Sequence, residues 1–244
     1  MPESQPHILV TGATRGIGAA IRTSLSARGA RVVGHGTRAA PGILAADLSQ
    51  AGAADRLWDA ALDALDGRID VLINNAGVFE AIPVDAQDAE WQASWGRTMQ
   101  INLQSSADLC RRMVLHAQGR ERDAGGLAGR IVNVASRAAY RGDSPAHWHY
   151  AASKAGMVAM TKSIARAYAG QGLAAFAICP GYVMTGMAED YLASRGGDKL
   201  LADIPLGRVA QPGEVASVAT YLALDAPASM TGAVLDVNGA SYVR

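Results

Sequence analysis

Short apolar runs alternate with stretches of helical spacing along nearly the whole chain. His7-Ile8-Leu9-Val10, Gly29–Gly34, Ile43–Asp47, Ile69–Ile73, Ile131–Ala135, Ala174–Cys179 and Thr231–Val237 each read as a strand. They are apolar throughout and do not alternate, as expected of strands covered on both faces. Between them, Ala19–Arg28, Ala53–Leu65, Asp88–Trp95 continuing through His116, Tyr150–Tyr168 and Glu214–Leu224 carry apolar residues at helical spacing, and Pro212-Gly213 opens the last. The alternation has no break in composition, no internal repeat and no linker. It predicts one α/β domain over residues 1–244, a doubly wound, mostly parallel seven-stranded sheet with helices on both faces. The segment 182–205 is long for a connection, has mixed polarity and holds Gly196-Gly197, so a mobile lid is expected there.

Composition narrows the function classes. Half of the 244 residues are hydrophobic and 18% are charged, enough for a sizeable core. Lysine plus arginine equals aspartate plus glutamate at 22 each, leaving no electrostatic footprint for nucleic acid or an anionic membrane. Arg111, Arg112, Arg120, Arg122 and Arg130 are diluted by Glu121 and Asp123 and read as a solvated helix end and loop. Cys110 in a helix and Cys179 in a strand read as small buried hydrophobes. No charged-apolar-small leader opens the chain and no apolar run reaches about 18 residues, so a cytoplasmic protein is expected. His147-Trp148-His149 has no supporting Cys, Asp or Glu cluster, and no metal site is expected. Trp148 reads as packing; the two histidines fit either substrate contact or closure of the helix's first turn.

The candidate chemistry sits at the strand ends. Directly after the first strand comes Thr11-Gly12-Ala13-Thr14-Arg15-Gly16-Ile17-Gly18, leading into a helix. Strand, glycine turn and helix is the context of a dinucleotide site, where backbone N–H groups meet a pyrophosphate. No Lys-Ser/Thr follows, which argues against a nucleoside triphosphate loop. After the second strand, where an acidic residue usually holds the ribose of NAD, the chain reads His35-Gly36-Thr37-Arg38. Arg15 and Arg38 suit a 2′-phosphate instead, so NADP is expected over NAD. Asp47-Leu48 ends the third strand where an adenine ring would lie. Asn74-Asn75-Ala76-Gly77 follows the fourth strand with the small and amide residues of a ligand-binding sheet edge.

Tyr150 and Lys154 lie four apart in a helical pattern and share a face. A neighbouring cation favours the phenolate, so Lys154 is expected to lower the Tyr150 pKa from its ordinary value of roughly 10. Ser136 ends the fifth strand and converges with Tyr150 on the same sheet edge. Asn102 is a mid-helix asparagine that needs hydrogen-bond partners. Arg137, Arg141 and Arg195 fit either attraction of an anionic group or plain exposure, and exposure is the reading preferred.

Taken together, Thr11–Gly18, Asn74–Gly77, Asn102, Ser136, Tyr150/Lys154 and Pro180-Gly181 resemble the short-chain dehydrogenase/reductase family, closest to its 3-oxoacyl-carrier-protein reductase-like branch. The likeness covers essentially the whole chain, with each motif in order. It implies a Rossmann fold, a homotetramer or homodimer, and NAD(P)-dependent hydride transfer between nicotinamide and a carbonyl or alcohol carbon. By the same resemblance, Ser136 would hydrogen-bond the substrate oxygen and Tyr150 would act as acid or base. Lys154 would hold the nicotinamide ribose, and Asn102 would anchor a water linking Lys154 to solvent. The cofactor contacts it implies are Gly12, Thr14, Arg15, Gly16, Ile17, Gly18, Thr37, Arg38, Asp47, Leu48, Asn75, Ala76, Gly77, Pro180, Gly181, Val183 and Thr185, besides Tyr150 and Lys154. A catalytically silent NADP-binding regulator is the alternative from another class, but the intact Ser136, Tyr150 and Lys154 argue against it. A hydrolase built on Ser136 lacks the Gly-x-Ser-x-Gly elbow.

Overall fold

The structure, a computed structural model, describes residues 5–123, 126–185 and 197–244. Its sheet is built from β1 (His7–Val10), β2 (Arg31–Gly36), β3 (Ile43–Ala45), β4 (Val71–Asn74), β5 (Gly129–Val134), β6 (Leu173–Pro180) and β7 (Val234–Val237). The spatial order is β3-β2-β1-β4-β5-β6-β7, and all six pairings are parallel. Order reverses at β1, which is flanked by β2 and β4, so a crevice opens at the carboxyl ends of β1 and β4.

Successive residues of each strand face opposite layers. Ile8, Val10, Ile73, Val132 and Phe176 pack under α1 (Gly16–Ala27) and the helix Pro212–Leu224. Leu9, Leu72, Ile131 and Ala175 pack under α2 (Ala53–Ala64), the helix Ser105–Ala117 and the helix Trp148–Tyr168. Both layers are predominantly apolar, which is why the strands lack alternation.

Three features depart from the periodicity. β2 runs to Gly36, two residues beyond the expected end, and so includes His35. The expected continuous helix from Asp88 to His116 is broken into α3 (Asp88–Met99), a π-turn at Gln100–Gln104 and α4 (Ser105–Ala117). The loop after β5 contains a single turn, α5 (Ala138–Arg141), before α6 (Trp148–Tyr168). Within the expected lid, residues 186–196 lie outside the described residues; α7 (Gly197–Ala202) follows, then α8 (Pro212–Leu224). Among the described residues no helix is long and apolar enough to cross a membrane.

Candidate active site

The glycine turn is held by its neighbours. Gly12 has φ +64°, and its N–H donates to His35 Nδ1 at 3.2 Å. The other ring nitrogen, Nε2, lies 3.1 Å from the Ala46 carbonyl, which assigns the proton to Nε2. His35 is almost fully buried, and burial pushes its pKa below the ordinary value. Across the crevice, the Thr11 hydroxyl accepts from Asn75 N and Ala76 N, each at 3.0 Å. The Asn75 amide donates to the Thr11 and Gly12 carbonyls, again at 3.0 Å. Asn75, expected at the cofactor, thus spends its amide on lacing two loops together. A Cβ at Gly18 would sit 2.1 Å from the Gly12 carbonyl and 2.5 Å from that amide, so only glycine fits.

These contacts leave a cradle for a dinucleotide. α1 starts with no side-chain cap and no acidic residue in its first turn, so its N-terminal N–H groups have no side-chain acceptor. Thr185 stands over that turn, its methyl 3.0 Å from where a Gly16 Cβ would be. Ile17 is half-buried against the core. Thr14, Arg15, Thr37 and Arg38 are exposed, and the end of β2 touches the turn: a Gly36 Cβ would meet the Thr14 methyl at 2.5 Å. Asp47 turns back on Ser49, accepting from its N–H at 3.0 Å and its hydroxyl at 2.7 Å. Leu48 and Val183 are buried, and Pro180 accepts from Arg137 N at 2.9 Å. Gly181 lies against Asn238, which a Cβ would meet at 2.9 Å.

Ser136, Tyr150, Lys154 and Asn102 do meet. The Ser136 hydroxyl accepts from Ala138 N at 3.1 Å and lies near enough to the Tyr150 phenol to pull its pKa downward. Lys154 Nζ lies 5.9 Å from the Tyr150 ring centroid, the shared helix face expected from the spacing. It donates to the Val134 carbonyl at 2.9 Å. A Gly77 Cβ would stand 3.5 Å from that Nζ and 3.3 Å from Asn102 Oδ1, so β4's loop, the π-turn and α6 converge.

One expectation is corrected. Tyr150 does not fall below its ordinary value: burial pushes the phenol up to about 12, with the Ser136 hydroxyl pulling the other way. Burial also pushes Lys154 down to about 8. Both groups lose more by leaving water than either gains from the other. Asn102 has its side chain fully engaged: Oδ1 accepts from Val78 N at 2.8 Å, and Nδ2 donates to the Val78 carbonyl at 3.0 Å and Ser153 Oγ at 3.2 Å. Its main-chain carbonyl accepts from Ser106 Oγ at 3.4 Å. A π-turn is the kind of irregularity that frees such a group.

Around this centre lie residues the sequence reading did not single out. Phe79 packs edge-on to Tyr150 at 4.8 Å and stacks on His147 at 3.9 Å. Behind it, Asn74, Asn133 and Thr161 form a buried chain of hydrogen bonds (2.9 and 2.8 Å) between β4, β5 and α6. Polar residues inside apolar strands were the available signal for that chain; nothing local marked Phe79. His149 is fully buried with Ser94 Oγ 3.1 Å from Nε2, while Trp148, 51% exposed, packs edge-on against Trp91 with ring centroids 5.7 Å apart. Cys110 and Cys179 are buried thiols, pushed up to about 12 and about 11 by burial. Among the described residues no cluster of metal-ligating side chains occurs.

A parallel doubly wound sheet with a glycine turn at its switch point, facing a buried Ser-Tyr-Lys group, defines a dinucleotide-dependent oxidoreductase. The family model described as enoyl-(acyl carrier protein) reductase matches residues 12–240. The chain belongs to the short-chain dehydrogenase/reductase family, within its 3-oxoacyl-carrier-protein reductase-like branch, and is an NAD(P)-dependent oxidoreductase. It is 35% identical to D-threitol dehydrogenase of Mycolicibacterium smegmatis, covering 97% of this chain and 92% of that one. It is 34% identical to the 3-oxoacyl-[acyl-carrier-protein] reductase of Synechocystis, covering 95% and 94%. The solved TT0495 protein from Thermus thermophilus superposes with a TM-score of 0.85 at 30% identity, over 96% of this chain and 97% of that one.

Proposed function

We propose that this single-domain chain is an NADP-dependent reductase of a small ketone, sugar or 3-oxoacyl thioester, or in reverse a dehydrogenase of the matching alcohol. The observation that carries it is the convergence of Ser136, Tyr150 and Lys154 beside the Gly12–Gly18 cradle, with Lys154 Nζ 5.9 Å from the Tyr150 ring and the Ser136 hydroxyl acting on the phenol. NADPH bound there would supply the hydride and leave as NADP+. Ser136 holds the substrate oxygen, and Tyr150 gives its proton to the alkoxide as it forms. A phenol held up at about 12 is fully protonated at neutral pH, the state an acid needs for the reducing direction. The Lys154 ammonium then stabilises the phenolate left behind. The exposed Arg15 and Arg38, together with β2's lack of a carboxylate, support the choice of NADP.

Tyr150→Phe tests the role. Turnover should fall by about 10²–10⁴, while NADPH binding followed by fluorescence stays near the parent's. Unchanged turnover overturns the assignment, and a clear preference for NADH at equal concentration overturns NADP. We further propose a cytoplasmic homotetramer or homodimer. The half-buried Ala151 and Ala155 and the exposed Ala152 of α6, with the exposed Leu115 of α4, offer faces for a second copy.

A further inference from the structure

The sequence reads Arg137 as an exposed arginine, yet the folded chain buries it to 7% exposure, directly after Ser136. Its guanidinium lies 4.5 Å from the centroid of the Tyr182 ring, on the segment that leaves β6. Nη2 pairs with Asp203 at 3.2 Å, just past α7. Asp203 is shared, since Arg141 Nη1 takes the same carboxylate oxygen at 2.6 Å. Two guanidiniums therefore divide one carboxylate, and the group keeps a net positive charge. Arg137 Nη1 is buried with no hydrogen-bond partner among the described residues. A buried charge with an unused donor is costly unless something completes it.

Resting on the reaction proposed above, we propose that Arg137 is a specificity-determining residue that binds a carboxylate on the substrate, a few carbons from the carbonyl held by Ser136. The fork of a guanidinium matches a planar carboxylate. Adjacent positions in the chain place the reacting oxygen at Ser136 and the anion at Arg137, so one oxo acid spans both. Tyr182 covers the face of the fork and keeps it from swinging away. The substrate class is thus an oxo acid, or in reverse a hydroxy acid, in preference to its neutral ester or a thioester.

The test compares 4-oxopentanoate and 5-oxohexanoate with their methyl esters under NADPH. The parent enzyme should favour the acids in kcat/KM. In Arg137→Met the acid-to-ester ratio should fall by about one to two orders of magnitude, the loss of a charged hydrogen-bond pair. Arg137→Lys should fall between the two, and Asp203→Asn, which removes the competing carboxylate, should raise the ratio. A ratio unchanged in Arg137→Met, or no acid preference in the parent, overturns the proposal. Should Arg137→Met fail to fold, Asp203→Asn decides alone, and an unchanged ratio overturns it. If NADPH binds but no ketone is reduced, the proposed reaction falls and the carboxylate site is judged by binding. Saturable quenching of bound NADPH fluorescence by 5-oxohexanoate, weakened in Arg137→Lys and lost in Arg137→Met, then supports it, and no saturation overturns it.

Discussion

Lys154 shows how a group proposed for catalysis can work against stability. Its ammonium is buried with one carbonyl as hydrogen-bond partner, and its pKa drops from 10.5 to about 8. Between those values the unfolded chain binds the proton and the folded chain does not. This group's contribution to stability therefore rises with pH across that window, and below pH 8 it is a full penalty. The shift corresponds to a cost on the order of 3 kcal/mol. Lys154→Met should raise the melting temperature at pH 7 by about 2–6 °C, after the lost hydrogen bond is subtracted, while turnover collapses. A lower melting temperature would contradict the penalty. Reductase activity of the parent should decline as pH rises through about 8, where the ammonium that balances the phenolate is lost.

The glycine turn and β2 act as a unit through His35. The Gly12 N–H needs an acceptor at Nδ1, and the Ala46 carbonyl needs the proton at Nε2, so only one neutral tautomer serves both. Protonation would set two donors against each other and push the turn out of shape. His35 is depressed below its ordinary 6.5 by burial, so the neutral form holds through neutral pH. Its stabilising contribution is present above 6.5 and lost as pH falls through the lower folded value. His35→Phe should weaken NADPH binding roughly tenfold, the worth of one lost hydrogen bond at a buried donor. Titration by fluorescence checks this, and affinity equal to the parent's would show that the turn holds itself. The sequence displayed the glycines and the missing carboxylate plainly. It hid His35's part because that depends on β2 running two residues further than its apolar pattern suggests.

Across the molecule, the two apolar layers account for the fold and leave small-residue faces on the outer helices. Light scattering should return a mass of two or four times 25.3 kDa; a mass of one chain would remove the assembly from the proposal. Strand and helix identities, the glycine turn and the Tyr150–Lys154 pair were all legible in the linear chain. They depend on residues near in sequence: apolar runs, turn formers and a spacing of four. The π-turn at Asn102, the upward pKa of Tyr150 and the burial of Arg137 were not legible. Each arises from desolvation or a partner supplied by segments distant in the chain, such as Val78 for Asn102 and Asp203 for Arg137. Neighbouring residues set local geometry, but how much water a side chain loses is set by whatever folds over it.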